Sequence, residues 1–205
     1  MSASRPARLL LAAIACLALG GCISVFPKAK PAQLYRFGGE PAQADAVLPP
    51  PGAPVVARGN LRFQSAASTD RILTVTGADT AYIAGARWVS PAPVLFEESL
   101  IRAFQTGAGP RLAEGGSTLR ATEVLNLDVE TFETRYDQGA AAAPEVVVQL
   151  RAQLLRATDR SVVAEQLFTG SQRASDNRVG PIVAAYDAAV HDVLGKLAGW
   201  TARQG

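Results

Sequence analysis

The chain has 205 residues, of which 48% are hydrophobic and 19% are charged, and its formal net charge is +2. That length and apolar content suffice for one ordinary core, and the nearly balanced charge argues against nucleic acid or another polyanion as a partner. With one histidine and two cysteines in the whole chain, histidine-based and thiolate-based metal sites have little material.

The first 21 residues have the pattern of a cleaved signal peptide. Arg5 and Arg8 make a positive start, and Leu9–Leu19 is an apolar run of 11 residues. A membrane-spanning helix needs about 20 apolar residues, so this run is too short to cross a bilayer. The pattern therefore predicts export and not a transmembrane segment.

A lipobox ends the signal peptide. Leu19-Gly20-Gly21 places small residues directly before Cys22, whose thiol can accept diacylglycerol as a thioether. We predict cleavage before Cys22 and lipidation of Cys22 by two or three acyl chains such as palmitate, enough for a lasting membrane anchor. Cys16 is the alternative site, although only a short apolar run precedes it.

The mature chain would have 184 residues once the first 21 of the 205 are removed, with 18 basic and 18 acidic side chains. Residues 22–54 are predicted to hold the lipidated N-terminus, a short strand at Leu34–Phe37 and a Pro-rich linker through Pro49–Pro51. Residues 55–205 are predicted to form one domain.

Alternation and turn signals divide that domain into strands and helices. Strands are predicted at 55–63, 72–76, 81–83, 86–89, 119–136, 146–154 and 162–169, the last three as an antiparallel meander. Helices are predicted at 93–106 and from about 181 to 200. The fold class is therefore α/β in the α+β sense: one domain with a mixed, mostly antiparallel sheet packed by two amphipathic helices.

Two details of the helices are also predicted. In the first helix, Val94, Leu100, Ile101 and Phe104 recur at helical spacing and are expected on the buried side. Before the second helix, the run Ser175–Asn177 offers candidate N-caps.

Catalytic chemistry finds few candidates. His191 is the only histidine, and its neighbour Asp192 points elsewhere on a helix, so the pair does not form a catalytic dyad. Glu97 and Glu98 also diverge on a helix, and the helix dipole accounts for acids near its start. We therefore expect no enzyme, no cofactor and no metal site.

Trp88 and Trp200 lie at the ends of predicted elements. Each is either a core residue or an exposed anchor at a partner interface. The sequence leaves both readings open.

The order of these motifs resembles the ABC-type transport auxiliary lipoproteins, the PqiC-like family. The resemblance rests on the lipobox, on Leu34-Tyr35-Arg36-Phe37 after it, and on an apolar strand pair before Arg87-Trp88-Val89-Ser90-Pro91 and a helix. Ser90 departs from the family pattern, in which an acidic residue is common. The family fold is similar to the N-terminal domain of TolB, a sandwich of two helices on a sheet.

The resemblance implies a function. Such proteins are accessory subunits of MCE-type lipid transport systems, whose other parts are an MCE-domain protein, an ABC permease and an ATPase. Ile23 after the lipidated cysteine implies sorting to the outer membrane, with the domain facing the periplasm. The expected role is non-catalytic docking of a phospholipid conduit, and self-association into a homo-oligomer is left open.

Two other functions also remain open. A lipid-binding shuttle would require an apolar cavity between the helices and the sheet. An outer-membrane assembly lipoprotein, resembling the one for lipopolysaccharide, would share the anchor and the fold type.

Overall fold

The computed structural model describes residues 31–39, 49–50, 52–105, 109–113 and 120–204. These residues form two α-helices and eight strands. The helices are α1 (Ala92–Gln105) and α2 (Val179–Ala202), and the strands are β1 (Gln33–Tyr35), β2 (Val55–Phe63), β3 (Arg71–Thr76), β4 (Asp79–Trp88), β5 (Arg111–Ala113), β6 (Glu123–Arg135), β7 (Glu145–Arg156) and β8 (Val162–Arg173). The predicted signal peptide, Cys22 and residues 40–48 of the linker lie outside the described residues.

The long strand β6 is the centre of the mixed sheet. On one side it pairs antiparallel with β7, and β7 pairs antiparallel with β8, which confirms the predicted meander. On its other side the first half of β6 pairs in parallel with β2, and its last two residues pair in parallel with β3. Strand β2 then leads to β5, and β3 leads through β4 to β1, so two short branches share one edge of β6.

Both helices lie on the same face of the sheet. The ring of Phe132 on β6 is 4.8 Å from Tyr186 of α2 and 6.5 Å from Phe96 of α1, measured between ring centroids. At Gly170 of β8 the backbone of α2 comes so close that a Cβ atom there would lie 2.6 Å from the carbonyl oxygen of Ala189. Alternate residues of β6 and β7 point toward the helices and are buried, which is the pattern that predicted a sheet with one wet face.

The fold class predicted from the sequence is confirmed. Strand β2 has the predicted bounds, and both helices begin and end within two residues of the predicted ones. The two runs predicted at 81–83 and 86–89 form one strand, β4, which passes through Gly85 at a positive φ of 69°. The three-residue strand β5 was not predicted, because a strand that short carries no periodicity.

Two of the predictions about the helices were wrong. Val94 is 43% exposed, while Leu95 and Phe96 are fully buried, because α1 packs on the sheet and on α2 at once and its buried face is turned toward both. The N-cap of α2 is Arg178, which makes no side-chain cap hydrogen bond. Asn177 instead accepts a hydrogen bond from the Tyr136 hydroxyl at 2.8 Å, so a tertiary partner takes the side chain that could have capped the helix.

Neither described helix is long and apolar enough to cross a membrane.

Candidate functional site

The first candidate site is the place where the N-terminal segment joins the domain, which we call the tether entry and define as residues Leu34–Gly39. Strand β1 adds to the edge of the sheet by pairing in parallel with β4, with Tyr35 opposite Trp88. The backbone N–H of Val89 extends this pairing by donating to the carbonyl of Tyr35 at 2.8 Å. The Leu34 side chain is 60% exposed, so the strand itself buries little apolar surface against the domain.

Phe37 supplies the main attachment. Its side chain is fully buried, and its ring lies 5.0 Å from Trp88, 5.2 Å from Phe132 and 6.4 Å from Tyr186 between centroids. Burial of a phenylalanine side chain contributes about 1.5–3 kcal/mol, and each aromatic pair adds about 0.5–1.5 kcal/mol. One side chain therefore ties the N-terminal segment to both the sheet and α2.

Gly38 is held by both helices. Its N–H donates to Asp187 Oδ1 on α2 at 2.8 Å, and its carbonyl accepts from Arg102 Nη2 on α1 at 2.8 Å. Its φ is +87°, and a Cβ atom there would lie 2.0 Å from Ser99 Oγ. Only glycine fits, because it both adopts this φ without strain and leaves room for the serine.

The tether entry also bears an ion pair at the surface, between Arg36 Nη1 and Glu98 Oε2 at 2.9 Å. Glu97 pairs with Arg58 of β2. Neither glutamate lies in the first turn of α1, so the explanation of these acids by the helix dipole was wrong. Each instead fastens α1 to a different strand or loop.

Beneath Phe37, the hydroxyl of Tyr186 is buried and accepts a hydrogen bond from Thr134 Oγ1 at 3.2 Å. Burial raises the pKa of Tyr186 well above its ordinary value. The phenol therefore stays protonated and acts as a structural group of the core.

The second candidate site is a groove of about 320 Å³ on the face of the sheet that is opposite to the helices. It crosses β2, β6 and β7 and is lined by Asn60, Arg62, Asn126, Leu127, Asp128, Glu130, Arg151 and Gln153. Arg62 pairs with Asp128, its direct neighbour across the strands. Arg151 donates to Glu130 Oε1 at 2.6 Å and to Glu165 Oε1 at 3.0 Å, so the charges of this groove are paired within it.

The other residues singled out in the sequence form no site with these. His191 is exposed on α2, and its neighbour Asp192 pairs with Lys196 at 2.6 Å. Trp88 and Trp200 are 2% and 4% exposed, so both belong to the core. Trp200 packs on Phe168 at 5.7 Å between ring centroids.

Among the described residues there is no group of three or more His, Cys, Asp or Glu side chains that could hold a metal ion. Cys22 lies outside the described residues, and its lipidation stays a prediction. Sequence reasoning missed the groove because its lining comes from three strands that are distant along the chain. The alternating polar residues of β6 and β7 were a sequence signal for it.

A mixed sheet with two helices on one face, and an N-terminal segment inserted into the layer between them, defines an α+β domain whose N-terminal segment contacts both the sheet and the helices. The chain belongs to the ABC-type transport auxiliary lipoprotein family, whose model matches residues 35–198. This range begins within the tether entry. The family makes the chain an accessory lipoprotein component of a transport system.

Solved structures agree with this fold. A protein from Xanthomonas campestris of family DUF330 is 26% identical, with a TM-score of 0.69 over 84% of this chain and 96% of that one. An uncharacterized protein matches with a TM-score of 0.62 at 13% identity, over 83% of this chain and 99% of that one. A hypothetical protein from Chlamydia trachomatis matches with a TM-score of 0.51 at 11% identity, over 74% of this chain and 99% of that one. The comparison with curated proteins finds no match.

Proposed function

We propose that this protein is a non-catalytic docking subunit of an MCE-type ABC lipid transport system, anchored by Cys22 in the outer membrane and facing the periplasm. The family supports the accessory role in ABC-type transport. The lipobox supports the anchor, and Ile23 supports outer-membrane sorting. The partners in this proposal are the MCE-domain protein and, through it, the permease and the ATPase.

The observation that carries the proposal is the tether entry. Phe37 is fully buried only 15 residues after Cys22, and Gly38 is bonded to both helices. A chain of that length spans at most about 50 Å when fully extended. The domain would therefore be held within a limited distance of the bilayer, as a docking subunit that meets its partner near the membrane must be.

The structure favours docking over a lipid shuttle. In the described part of the chain, the layer between helices and sheet is filled around Phe37 by Trp88, Phe132 and Tyr186, with ring centroids 4.8–6.4 Å apart. A shuttle would need an acyl-sized apolar cavity in that layer. We therefore retain docking as the proposed function.

Replacement of Cys22 by Ser tests the anchor. The variant should be lost from the outer-membrane fraction, because the thioether-linked lipid group on Cys22 is the proposed attachment. Cys16→Ser is the matched control and should fractionate like the unchanged protein. An unchanged distribution of the Cys22 variant would contradict the anchor.

Affinity purification from solubilised envelope tests the partner. The unchanged protein should co-purify with the MCE-domain protein. The Cys22→Ser variant should recover much less MCE-domain protein from cells, but it should still bind the purified MCE-domain protein when the two are mixed. Absence of the MCE-domain protein from both preparations would refute the docking role.

A further inference from the structure

The groove on the outer face of the sheet is shaped by a β-bulge. Strands β2 and β6 pair in register up to Arg58 and again from Leu61; between these points two residues of β2 lie opposite the single residue Asn126 of β6. Gly59 is at the bulge, where a Cβ atom would lie 2.2 Å from Asn126 Oδ1. Bulges open and bend a sheet locally, which makes a concave surface on an otherwise flat face.

The bulge also orients Asn126. Its Oδ1 accepts a hydrogen bond from the backbone N–H of Asn60 at 3.0 Å. The side-chain NH₂ group therefore faces away from that backbone, and within the described residues it has no hydrogen-bond partner. A donor with a fixed direction is thus presented at the groove.

Gln153 is the cross-strand neighbour of Asn126 on β7. Its Nε2 donates to Glu165 Oε2 at 3.0 Å, so its amide group is fixed with Oε1 as the unused acceptor within the described residues. Directly opposed residues of an antiparallel pair have Cβ atoms about 4.5–5.5 Å apart. A fixed donor and a fixed acceptor therefore stand side by side, which is the complement of a secondary amide with its C=O and N–H.

The charges of the groove select against an ionic ligand. Its lining holds two arginines and two acids, and each arginine already contacts a carboxylate. Hydrogen bonds from Gln153 and Arg151 lower the pKa of Glu165 next to the groove, so this part of the network stays charged and paired. What the groove offers a ligand is hydrogen bonding, because paired guanidinium and carboxylate groups keep further donors and acceptors for hydroxyl groups.

We propose that this groove binds an uncharged glycan that carries acetamido groups. The acetamido carbonyl would accept from Asn126, its N–H would donate to Gln153, and neighbouring hydroxyls would meet the Arg62–Asp128 and Arg151–Glu130 pairs. A peptide backbone also carries secondary amides, but peptide recognition relies on pockets for side chains, and Leu127 is the only apolar residue of the lining. The volume of about 320 Å³ is at the small end of ligand sites and suits a short oligosaccharide.

The test is a titration of the full mature protein, ¹⁵N-labelled and solubilised in detergent, with di-N-acetylchitobiose, followed by NMR. Saturable shifts should centre on the side-chain amides of Asn126 and Gln153, with a dissociation constant in the millimolar range because no aromatic ring stacks on the sugar. Cellobiose, which has hydroxyls in place of the acetamido groups, should bind about tenfold more weakly, the effect of losing about one net hydrogen bond. Equal binding of the two sugars, or the absence of saturable shifts, would overturn the proposal.

Variants and competing probes complete the test. Gln153→Ala should weaken chitobiose binding about tenfold, whereas Gln172→Ala, an exposed glutamine of β8 outside the groove, should leave it unchanged. Tighter binding of trialanine would identify a peptide site instead, and tighter binding of glycerophosphoethanolamine would identify a site for charged groups, and either result would refute the glycan. The titration needs neither the transport partner nor the membrane, so its outcome is independent of the docking role.

Discussion

Replacement of Gly38 by Ala is the most direct test of the tether entry. The new Cβ atom would lie 2.0 Å from Ser99 Oγ and 2.9 Å from Arg102 Nη2. Non-glycine residues with a positive φ cost about 1–2 kcal/mol before any contact is considered. The serine must then leave its 2.7 Å hydrogen bond to Leu95, and the arginine must leave the carbonyl of residue 38, at about 1 kcal/mol for each bond.

The expected loss in free energy of unfolding is therefore about 3–4 kcal/mol. Gly39→Ala is the matched control, because Gly39 also has a positive φ, +71°, but no atom lies within 4 Å of the position of its Cβ. It should lose only the conformational part, about 1–2 kcal/mol. Both would be measured by urea denaturation of the full chain with Cys22 replaced by Ser, followed by tryptophan fluorescence, since Trp88 lies beside Phe37.

A third variant separates the cost of the positive φ at residue 38 from the cost of the steric clash with Ser99. Ser99→Ala removes the atom that the new methyl group meets first, so the double variant Gly38→Ala/Ser99→Ala should be more stable than the sum of the two single changes implies. If Gly38→Ala costs no more than Gly39→Ala, the close approach of the two helices at this residue does not stabilise the fold, and the reasoning fails.

Three further predictions concern other parts of the domain. Phe37→Ala should lower the free energy of unfolding by about 3–5 kcal/mol. Leu34→Ala, at a side chain that is 60% exposed, should change it by less than about 0.5 kcal/mol. Similar losses for the two variants in urea denaturation would contradict the conclusion that Phe37 is the main attachment of the N-terminal segment. Gly170→Ala should cost about 1–3 kcal/mol in the same assay, because the methyl group would lie 2.6 Å from a backbone oxygen of α2; an unchanged midpoint would mean that α2 can move away freely. Hydrogen bonding from Arg173 lowers the pKa of Asp137, so this exposed pair contributes stability above the unfolded pKa and loses it as the pH falls through the folded pKa. Asp137→Asn should therefore be less stable than the unchanged chain at neutral pH and equally stable in strong acid, and a deficit that persists in acid would point to another cause.

Elements with a strong local pattern were predicted well from the sequence. The strict alternation along β6 and β7 and the three-and-four spacing of apolar residues in α2 reflect burial of one face, which any partner surface would require. These features depend on the period of the side chains along the chain, so a single sequence contains them.

The pairing of strands and the packing partners of side chains were much harder to predict. Nothing local in residues 55–63 shows that they pair in parallel with residues 123–129. Nothing local shows either that Thr134 and Arg135, at the end of β6, pair with β3 and not with β2. The choice between core and interface for Trp88 and Trp200 was open for the same reason. Each depends on contacts between residues that are tens of positions apart.

The sequence by itself determined the family and the two-layer fold class, because amphipathic periods report burial directly, and it predicts an export route, because the lipobox is a contiguous motif. Only the tertiary structure decided that Phe37 fills the layer between helices and sheet and that Gly38 is held by α1 and α2. It also decided that Asn126 and Gln153 stand side by side over a groove. The physical reason is that the sequence gives the type of each side chain directly, whereas its contacts are determined by long-range packing, in which each contact depends on all the others.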